Sequence, residues 1–380
     1  MRSARWPRWW PPPAASEPAP VIATDLAHLQ RCFELAELGA RSAAPNPMVG
    51  CVVVRSGRVI GEGWHERPGL PHAEVLALRD AGDAAGATVY VSLEPCAHHG
   101  RTPPCADALV AADVARVVVA ADDPDPRTNG AGIARMRAAG IEVDVAEDEI
   151  RRRARAQNAA FRTLTIAGRP HVTYKVAASL DGRTATAGGE SRWISSPQSR
   201  GLVHEMRARS AAVAVGIGTA LADDPLLTAR DCDPPPERQP LRVVFDHDAR
   251  LPLSSRLVGD VAQAAVAVIC RPAAAGAAAL AAAGVQVIEA RSAAEGLAEL
   301  GRREISSLLV EGGARLAAGL LAEDVIDRLA LFTAPLLLGD GPGIIDGWAA
   351  ERLDAAVRAS RVEARTVGPD TLLVADLHEM

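Results

Sequence analysis

One histidine, two cysteines and a carboxylate, in a fixed order, decide what chemistry this chain can do. His72-Ala73-Glu74 comes first, Pro95-Cys96 follows, and eight residues separate Cys96 from Cys105. An imidazole and two thiolates suit tetrahedral Zn²⁺, and three protein ligands leave a fourth position open for water, as catalytic sites do and closed structural sites do not. Zinc lowers the pKa of bound water to about 7. Glu74 stands beside a ligand without having to be one, so it can shuttle that water's protons. Attack on an amidine-like ring carbon, with the amine leaving, is hydrolytic deamination. Zinc deaminases of nucleobases carry nearly this signature, with two residues between the cysteines. Here there are eight.

The surrounding elements must bring these residues together. Pro71 precedes a helix start over His72–Leu78. Thr88–Leu93 reads as a strand that delivers Cys96 at its end, and Pro103-Pro104 opens a second helix at Cys105. Unpaired N–H groups at that helix start favour a thiolate. A lone His-Ala-Glu triplet arises by chance, and a buried Cys usually acts as a small hydrophobe. The three segments in this order favour the metal.

The whole chain narrows the function classes. At 380 residues it calls for two domains. A net charge of −6 and 3% aromatics argue against a nucleic-acid partner. No stretch reaches membrane-spanning length. Six cysteines, at 32, 51, 96, 105, 232 and 270, form no compact disulfide framework and fit a reducing cytoplasm. Forty arginines stand beside a single lysine, Lys175. Residues 1–23 are rich in Arg, Trp and Pro, and Pro11-Pro12-Pro13 precludes a signal peptide's apolar region, so a disordered extension is expected.

Residues 24–168 alternate strands and helices, which indicates a three-layer α/β domain. It runs from a helix over Leu26–Gly39, through a hairpin at 50–54 and 59–63, to strands at Arg116–Ala121 and Ile141–Val145 and a last helix within Glu147–Thr165. Arg151-Arg152-Arg153 reads as a solvated helix face rather than an RNA contact. Gly168-Arg169-Pro170 marks the expected boundary.

Residues 169–380 repeat the alternation, with strands expected at His171–Ala177, Ala211–Val215, Leu241–Asp246, Ala264–Ile269, Val285–Ile288, Ser306–Val310 and Arg328–Ala334. Ser196-Pro197 begins a helix. The chain has no phosphate loop of the Gly-Lys-Ser/Thr type and no complete GxGxxG. Two places still suit phosphates. One is Glu311-Gly312-Gly313 before a helix, where bare backbone N–H groups can hold a pyrophosphate, although a plain tight turn explains the glycines equally well. The other is the Asp181-Gly182 turn with Gly188-Gly189-Glu190-Ser191 and Trp193.

Taken together the chain resembles the bifunctional riboflavin-biosynthesis family that joins a diaminohydroxyphosphoribosylaminopyrimidine deaminase to a 5-amino-6-(5-phosphoribosylamino)uracil reductase. The resemblance rests on Asn46-Pro47-Met48-Val49-Gly50, His72-Ala73-Glu74, the run Leu93–Cys105, Ser179-Leu180-Asp181-Gly182, Trp193-Ile194, Ala222-Asp223-Asp224-Pro225 and Val310-Glu311-Gly312-Gly313. The eight-residue separation of the cysteines is that family's own.

The resemblance implies two successive reactions on a small phosphoribosyl pyrimidine. In the first domain His72, Cys96 and Cys105 would hold one Zn²⁺, Glu74 would move protons, and Asn46, His65, His98, Arg101 and Thr102 would contact substrate. A structural role stays open for His65 and His98. The second domain would have a dihydrofolate-reductase-like α/β fold and use NADPH to reduce the ribosyl group to ribityl. Ala177, Trp193, Thr219, Asp223 and the stretch Gly313, Ala314, Arg315, Leu316, Ala317, Ala318, Gly319 would line the cofactor. Ser191, Arg207, Leu227, Arg230 and Glu311 would contact substrate, with Ser191, Arg207 and Arg230 suited to its 5′-phosphate. Lys175, Asp223 and Glu311 would help the ribose open. His247 stands where the family commonly has a small hydroxyl residue, and the loop Asp123–Gly130 matches the family only at its start. The resemblance also implies a homo-oligomer in the cytoplasm. Two other readings compete: a deaminase of another base, which leaves the second half idle, and a non-catalytic protein with structural zinc, which leaves Glu74 idle.

Overall fold

The structure is a computed structural model that describes residues 23–100 and 103–378. The extension expected over 1–23 lies outside them apart from Ala23, and so do Arg101 and Thr102. The chain divides into two compact units. The first takes the described residues through Leu38 together with Val49–Gln157, and the second takes Gly39–Met48 and the described residues from Asn158. The division thus differs from the boundary expected at Gly168. Asn158 holds the backbone of Met48 at both its N–H and C=O, and Gly301 packs against the carbonyl of Gly168, so 39–48 and 158–168 group with the second unit.

The first unit contains α1 (Ala23–Glu37), β1 (Gly50–Arg55), β2 (Arg58–Trp64), α2 (Ala73–Ala81), β3 (Thr88–Val91), α3 (Cys105–Ala111), β4 (Arg116–Val119), α4 (Ala131–Ala138), β5 (Glu142–Val145) and α5 (Asp148–Gln157). Its sheet has the order β2-β1-β3-β4-β5, antiparallel around β1 and parallel from β3 to β5. The strand pleat shows why it has three layers. A Cβ on Gly50 would meet the α1 backbone at Cys32, whereas Cys51, on the opposite face, pairs with Gly63, against which α2 packs. Gly61 and Gly63 are two apart, and a Cβ on either would come within 2.3–2.5 Å of the carbonyl oxygen of Ala77 or Ala73. Bare strand against an alanine-lined helix is what lets α2 lie so close.

The second unit contains α6 (Ala159–Ala167), β6 (His171–Ser179), α7 (Pro197–Arg209), β7 (Ala212–Gly216), α8 (Ile217–Asp223), β8 (Leu241–Phe245), α9 (Arg256–Gly259), β9 (Val266–Cys270), α10 (Ala277–Ala282), β10 (Gln286–Glu289), α11 (Ala293–Arg302), β11 (Ser307–Val310), α12 (Ala314–Ala322), β12 (Arg328–Ala334), β13 (Arg361–Val367) and β14 (Asp370–Asp376). The sheet order is β10-β9-β8-β7-β11-β6-β12-β14-β13, parallel as far as β12 and antiparallel for the final hairpin. Alternate residues of the central strands feed two separate cores: Val172, Tyr174, Ala212 and Leu308 enter one, and Val213, Val215, Val244 and Leu309 the other. Burial of both faces is why these strands read as continuous apolar runs. As expected, Ser196 caps α7, its Oγ accepting from the N–H of Ser199, with Pro197 in the first turn. Among the described residues no helix is long and apolar enough to cross a membrane.

Candidate functional site

His72 is the N-cap residue of α2, and its side chain makes no capping bond to that helix. β3 carries the chain to Cys96. Past its end, the N–H of Ser92 donates to Gly50 O while its Oγ accepts from the N–H of Gly50, and the N–H of Glu94 donates to Ala121 O. Glu94 then fixes the approach to Cys96: its buried carboxylate accepts from the N–H groups of Gly130, Gly132 and Ile133 at the start of α4. Cys105 is the first residue of α3, and its N–H donates to Cys96 Sγ at 3.3 Å.

These elements bring three donors to one point. His72 Nδ1 is 3.2 Å from Cys105 Sγ and 3.6 Å from Cys96 Sγ, and all three ligand atoms lie within 4.8 Å of one another. Bonds of 2.0–2.3 Å to a tetrahedral ion would set such atoms roughly 3.5 Å apart. The donor set and its spacing therefore fit Zn²⁺. Hydrogen bonding from Cys105, helped by His72, holds the Cys96 thiol below its ordinary range, while the same bond and burial push the Cys105 thiol up, so one thiolate is favoured in the pair before a metal claims both.

Glu74 lies in the first turn of α2, 3% exposed, and in contact with Cys105. Burial pushes its carboxyl above the usual range, toward the pH at which a group can both accept and return a proton. His65 is buried with its ring edge-on to His72, 5.3 Å between centroids, and its Nδ1 faces Pro71 O at 3.4 Å. That geometry makes it a support for the ligand imidazole. His98 meets the buried hydroxyl of Thr128 at 3.2 Å, so the 123–130 loop is tied to the cysteine segment. Asn46 lies in the 39–48 segment, with its N–H donating to Ala43 O.

In the second unit a polar cluster sits where β11 lies between β7 and β6, at the carboxyl ends where open parallel sheets take ligands. Glu311 directly follows β11 and is gripped by Arg207 of α7, Nε to Oε1 at 2.6 Å and Nη2 to Oε2 at 3.0 Å. Lys175 of β6 is 3.8 Å from the same Oε2. Burial lowers the Lys175 pKa against the pull of Glu311. Arg207 also donates to Thr228 O, so most of its fork is spent inside the protein. Arg230 is exposed, and its guanidinium has no acidic partner among the described residues.

Gly313 is the N-cap of α12 and supplies no capping side chain, which leaves first-turn N–H groups open to a phosphate. A Cβ on Gly312 would strike Leu316 at 2.7 Å and crowd Gly216 N at 3.2 Å, and Thr219 Oγ1 faces Gly313. The bare cradle fits a cofactor pyrophosphate, with Ala314, Arg315, Leu316, Ala317, Ala318 and Gly319 on the helix behind it. The Asp181-Gly182 turn does not suit a phosphate. Asp181 accepts from Ser179 Oγ and from the N–H groups of Leu338 and Gly339, which hold its carboxyl down to about 2. It is a charged structural clasp. Asp223 lies at the end of α8, exposed and paired with Arg192 at 2.8 Å, and does not join the Glu311 cluster. Trp193 is 70% exposed with Arg200 stacked on its ring, Ser191 and His247 are exposed, and Ala177 pairs with Phe332 across β6 and β12.

Three residues that fix backbone next to Cys96 or Arg230 carry no sequence signal of that role. Glu94 sits inside a quoted motif but carried no role, and His204 and Gln239 are isolated polar residues with no local signal. All three act on backbone brought close only by the fold.

The chain matches two family models, the cytidine and deoxycytidylate deaminase zinc-binding region over residues 23–121 and the RibD C-terminal domain over 170–373. The riboflavin biosynthesis protein RibD of Aquifex aeolicus is 40% identical over 352 residues, covering 92% of this chain and 97% of that protein. RibD of Escherichia coli is 41% identical over 372 residues, covering 91% and 97%. Among solved structures, Acinetobacter baumannii RibD superposes with a TM-score of 0.82 at 40% identity over 93% of this chain and 98% of the other. A diaminohydroxyphosphoribosylaminopyrimidine deaminase/5-amino-6-(5-phosphoribosylamino)uracil reductase from Thermotoga maritima does so at 0.82 and 33%, with the same coverage.

Proposed function

Because the chain belongs to the RibD family of bifunctional riboflavin-biosynthesis deaminase/reductases, we propose that its first unit deaminates 2,5-diamino-6-(5-phosphoribosylamino)pyrimidin-4-one at one Zn²⁺ and its second reduces the product with NADPH. The observation that carries the first half is the buried Glu74 beside three converging donors, His72, Cys96 and Cys105.

Zinc bound by those three residues supplies Lewis-acid activation of the water that the reaction consumes. Glu74 takes a proton from the attacking water and hands it to the departing amine, so that C2 gains oxygen and ammonia leaves. Its raised pKa suits both halves of that transfer. Glu94 and His65 hold the cysteine segment and the imidazole in place.

In the second unit bound NADPH would supply the hydride that the ribose C1′ needs. Lys175 delivers a proton to the ring oxygen as the C1′–O bond opens, and Glu311, fixed by Arg207, steadies the ammonium and the sugar. Gly313 and the start of α12, with Thr219 Oγ1 facing Gly313, would hold the cofactor pyrophosphate, and Ala177 and Trp193 would be further cofactor contacts. Arg230 takes the substrate's 5′-phosphate with Ser191, and Leu227 shapes the segment that presents it. Self-association through the second unit and a place in the cytoplasm belong to the same reading. Support comes from β13, a terminal strand exposed along nearly its whole length, and from six free cysteines.

Following ammonia release and NADPH oxidation together, with and without a chelator, tests the division of labour. Chelation should stop the first reaction and spare reduction of ready-made deaminated product. Equal loss of both activities would sink it.

A further inference from the structure

The segment 226–230 is strapped down at almost every peptide. The fully buried Arg242 donates Nη1 to Leu226 O at 3.3 Å, and Arg207 donates Nη1 to Thr228 O at 3.0 Å. The side-chain amide of Gln239 clamps Ala229 from both ends, Nε2 donating to its C=O and Oε1 accepting its N–H, each at 2.8 Å. His204, one helical turn before Arg207 on α7, accepts the N–H of Arg230 on Nδ1 at 3.4 Å.

Such strapping answers a local cost. Leu227 is 3% exposed with φ of 55°, a left-handed conformation that a bulky residue adopts only when its surroundings over-determine it. Arg207 and Arg242 also serve acidic partners, Glu311 and Asp260. Gln239 and His204 act on this segment through neutral groups.

We propose that Gln239 and His204 are positioning residues for the reduction: they fix the backbone that presents Arg230 and thereby set the affinity for the phosphate of the substrate. The inference rests on the reading that Arg230 takes that phosphate. Of the two arginines suited to the phosphate, Arg207 is committed to Glu311 and Thr228, which leaves Arg230 to meet a dianion, and its reach depends on where its Cα is held. Because Nδ1 of His204 accepts, its ring proton sits on Nε2. Asn can offer an oxygen near the Nδ1 position, whereas Gln offers its polar atoms near Nε2.

The test is steady-state reduction of the deaminated phosphoribosyl pyrimidine and of its dephosphorylated counterpart, with ammonia release and melting temperature as internal controls. Gln239→Leu should raise KM for the phosphorylated substrate about tenfold, the scale of two lost neutral hydrogen bonds. Its kcat, its KM for the dephosphorylated substrate and its ammonia release should change less than twofold. His204→Asn should behave as wild type and His204→Gln should raise the same KM severalfold, a pair that decides the matter even if Gln239→Leu folds poorly. Arg230→Ala isolates the underlying reading: if it leaves the preference for phosphorylated substrate intact, that reading and the proposal fall together. If Arg230→Ala abolishes the preference while Gln239→Leu and both His204 variants keep wild-type KM, the proposal alone is overturned. A proportional loss on both substrates also overturns it, since that would mark a merely structural role.

Discussion

Arg207 and Glu311 meet as a fork on a carboxylate, 2.6 Å and 3.0 Å at its two oxygens, with both side chains largely withdrawn from solvent. Burial alone would raise the Glu311 carboxyl. The charges of Arg207 and Lys175 outweigh it and hold the group below its ordinary range. Removing Arg207 leaves the buried carboxylate with only the more distant Lys175, 3.8 Å away, to offset it, at a cost of up to roughly 3–5 kcal/mol. Arg207→Met should therefore lower stability by about that much and cut reduction at least tenfold. Arg207→Lys should recover part of the stability without the bidentate grip. Urea melts and NADPH oxidation measure both, and a wild-type rate in Arg207→Met would remove the cluster from the site.

Lys175 should carry the pH dependence of reduction. Burial depresses its pKa below the 10.5 of a free lysine, so the charged form is lost earlier on the alkaline side. If it donates a proton, reduction should fall through an alkaline limb below pH 10.5 that ammonia release lacks. The linkage has a matching sign. Between the depressed folded value and the unfolded one the unfolded chain binds more protons, so this residue's contribution makes stability rise with pH there. Lys175→Met should abolish reduction, spare ammonia release and flatten that rise. A pH–rate profile of both reactions checks it.

Gly63 keeps the metal helix on its sheet. A methyl group there would sit 2.5 Å from Ala73 O and force α2 outward. Gly63→Ala should cost about 1–3 kcal/mol and should weaken zinc binding and ammonia release while leaving NADPH oxidation alone. Metal titration against a chelator of known affinity, beside both assays, gives the answer.

Gly313→Asp should move stability and cofactor affinity in opposite directions. Gly313 already has the extended backbone of an N-cap, φ −69° and ψ 169°, and Asp caps helices slightly better than Gly, by a few tenths of a kcal/mol. Its carboxylate would also occupy and repel the phosphate position. The melting temperature should hold or rise while the NADPH Kd, read by fluorescence titration, increases at least tenfold. Unchanged NADPH binding would move the pyrophosphate elsewhere.

Local signals made much of this architecture legible. Proline before a helix placed His72 and Cys105 at helix starts, an apolar run placed β3 ahead of Cys96, and Ser196-Pro197 marked a cap that the structure reproduces. What stayed hidden depends on distant partners. α4 was not foreseen: it follows Gly130, which has φ of 75° and no capping side chain, and its end is satisfied by Glu94, 36 residues away. The helix expected within 147–165 is two helices, because Asn158 between them spends its amide on Met48. The β13–β14 hairpin was missed since β13 is almost wholly exposed and its alternation rests on Val362 and Ala364 alone, too short a signal to mark a strand. In the second unit the lone lysine Lys175 and the motif residue Glu311 do converge, but only the fold shows that Arg207 is committed to Glu311 and that Asp223 faces Arg192 instead.

The whole front half hangs on one ion and one carboxylate outside its ligand set. Zinc content and ammonia release, measured on the same preparations of wild type, Glu74→Gln and Cys96→Ala, address it most directly. Wild type and Glu74→Gln should each hold one zinc per chain, with ammonia release from Glu74→Gln down by roughly 10²–10⁴-fold and reduction of deaminated product intact. Cys96→Ala should lose both metal and ammonia release. A metal-free wild type that deaminates at full rate, or a Glu74→Gln variant that does so, would contradict it.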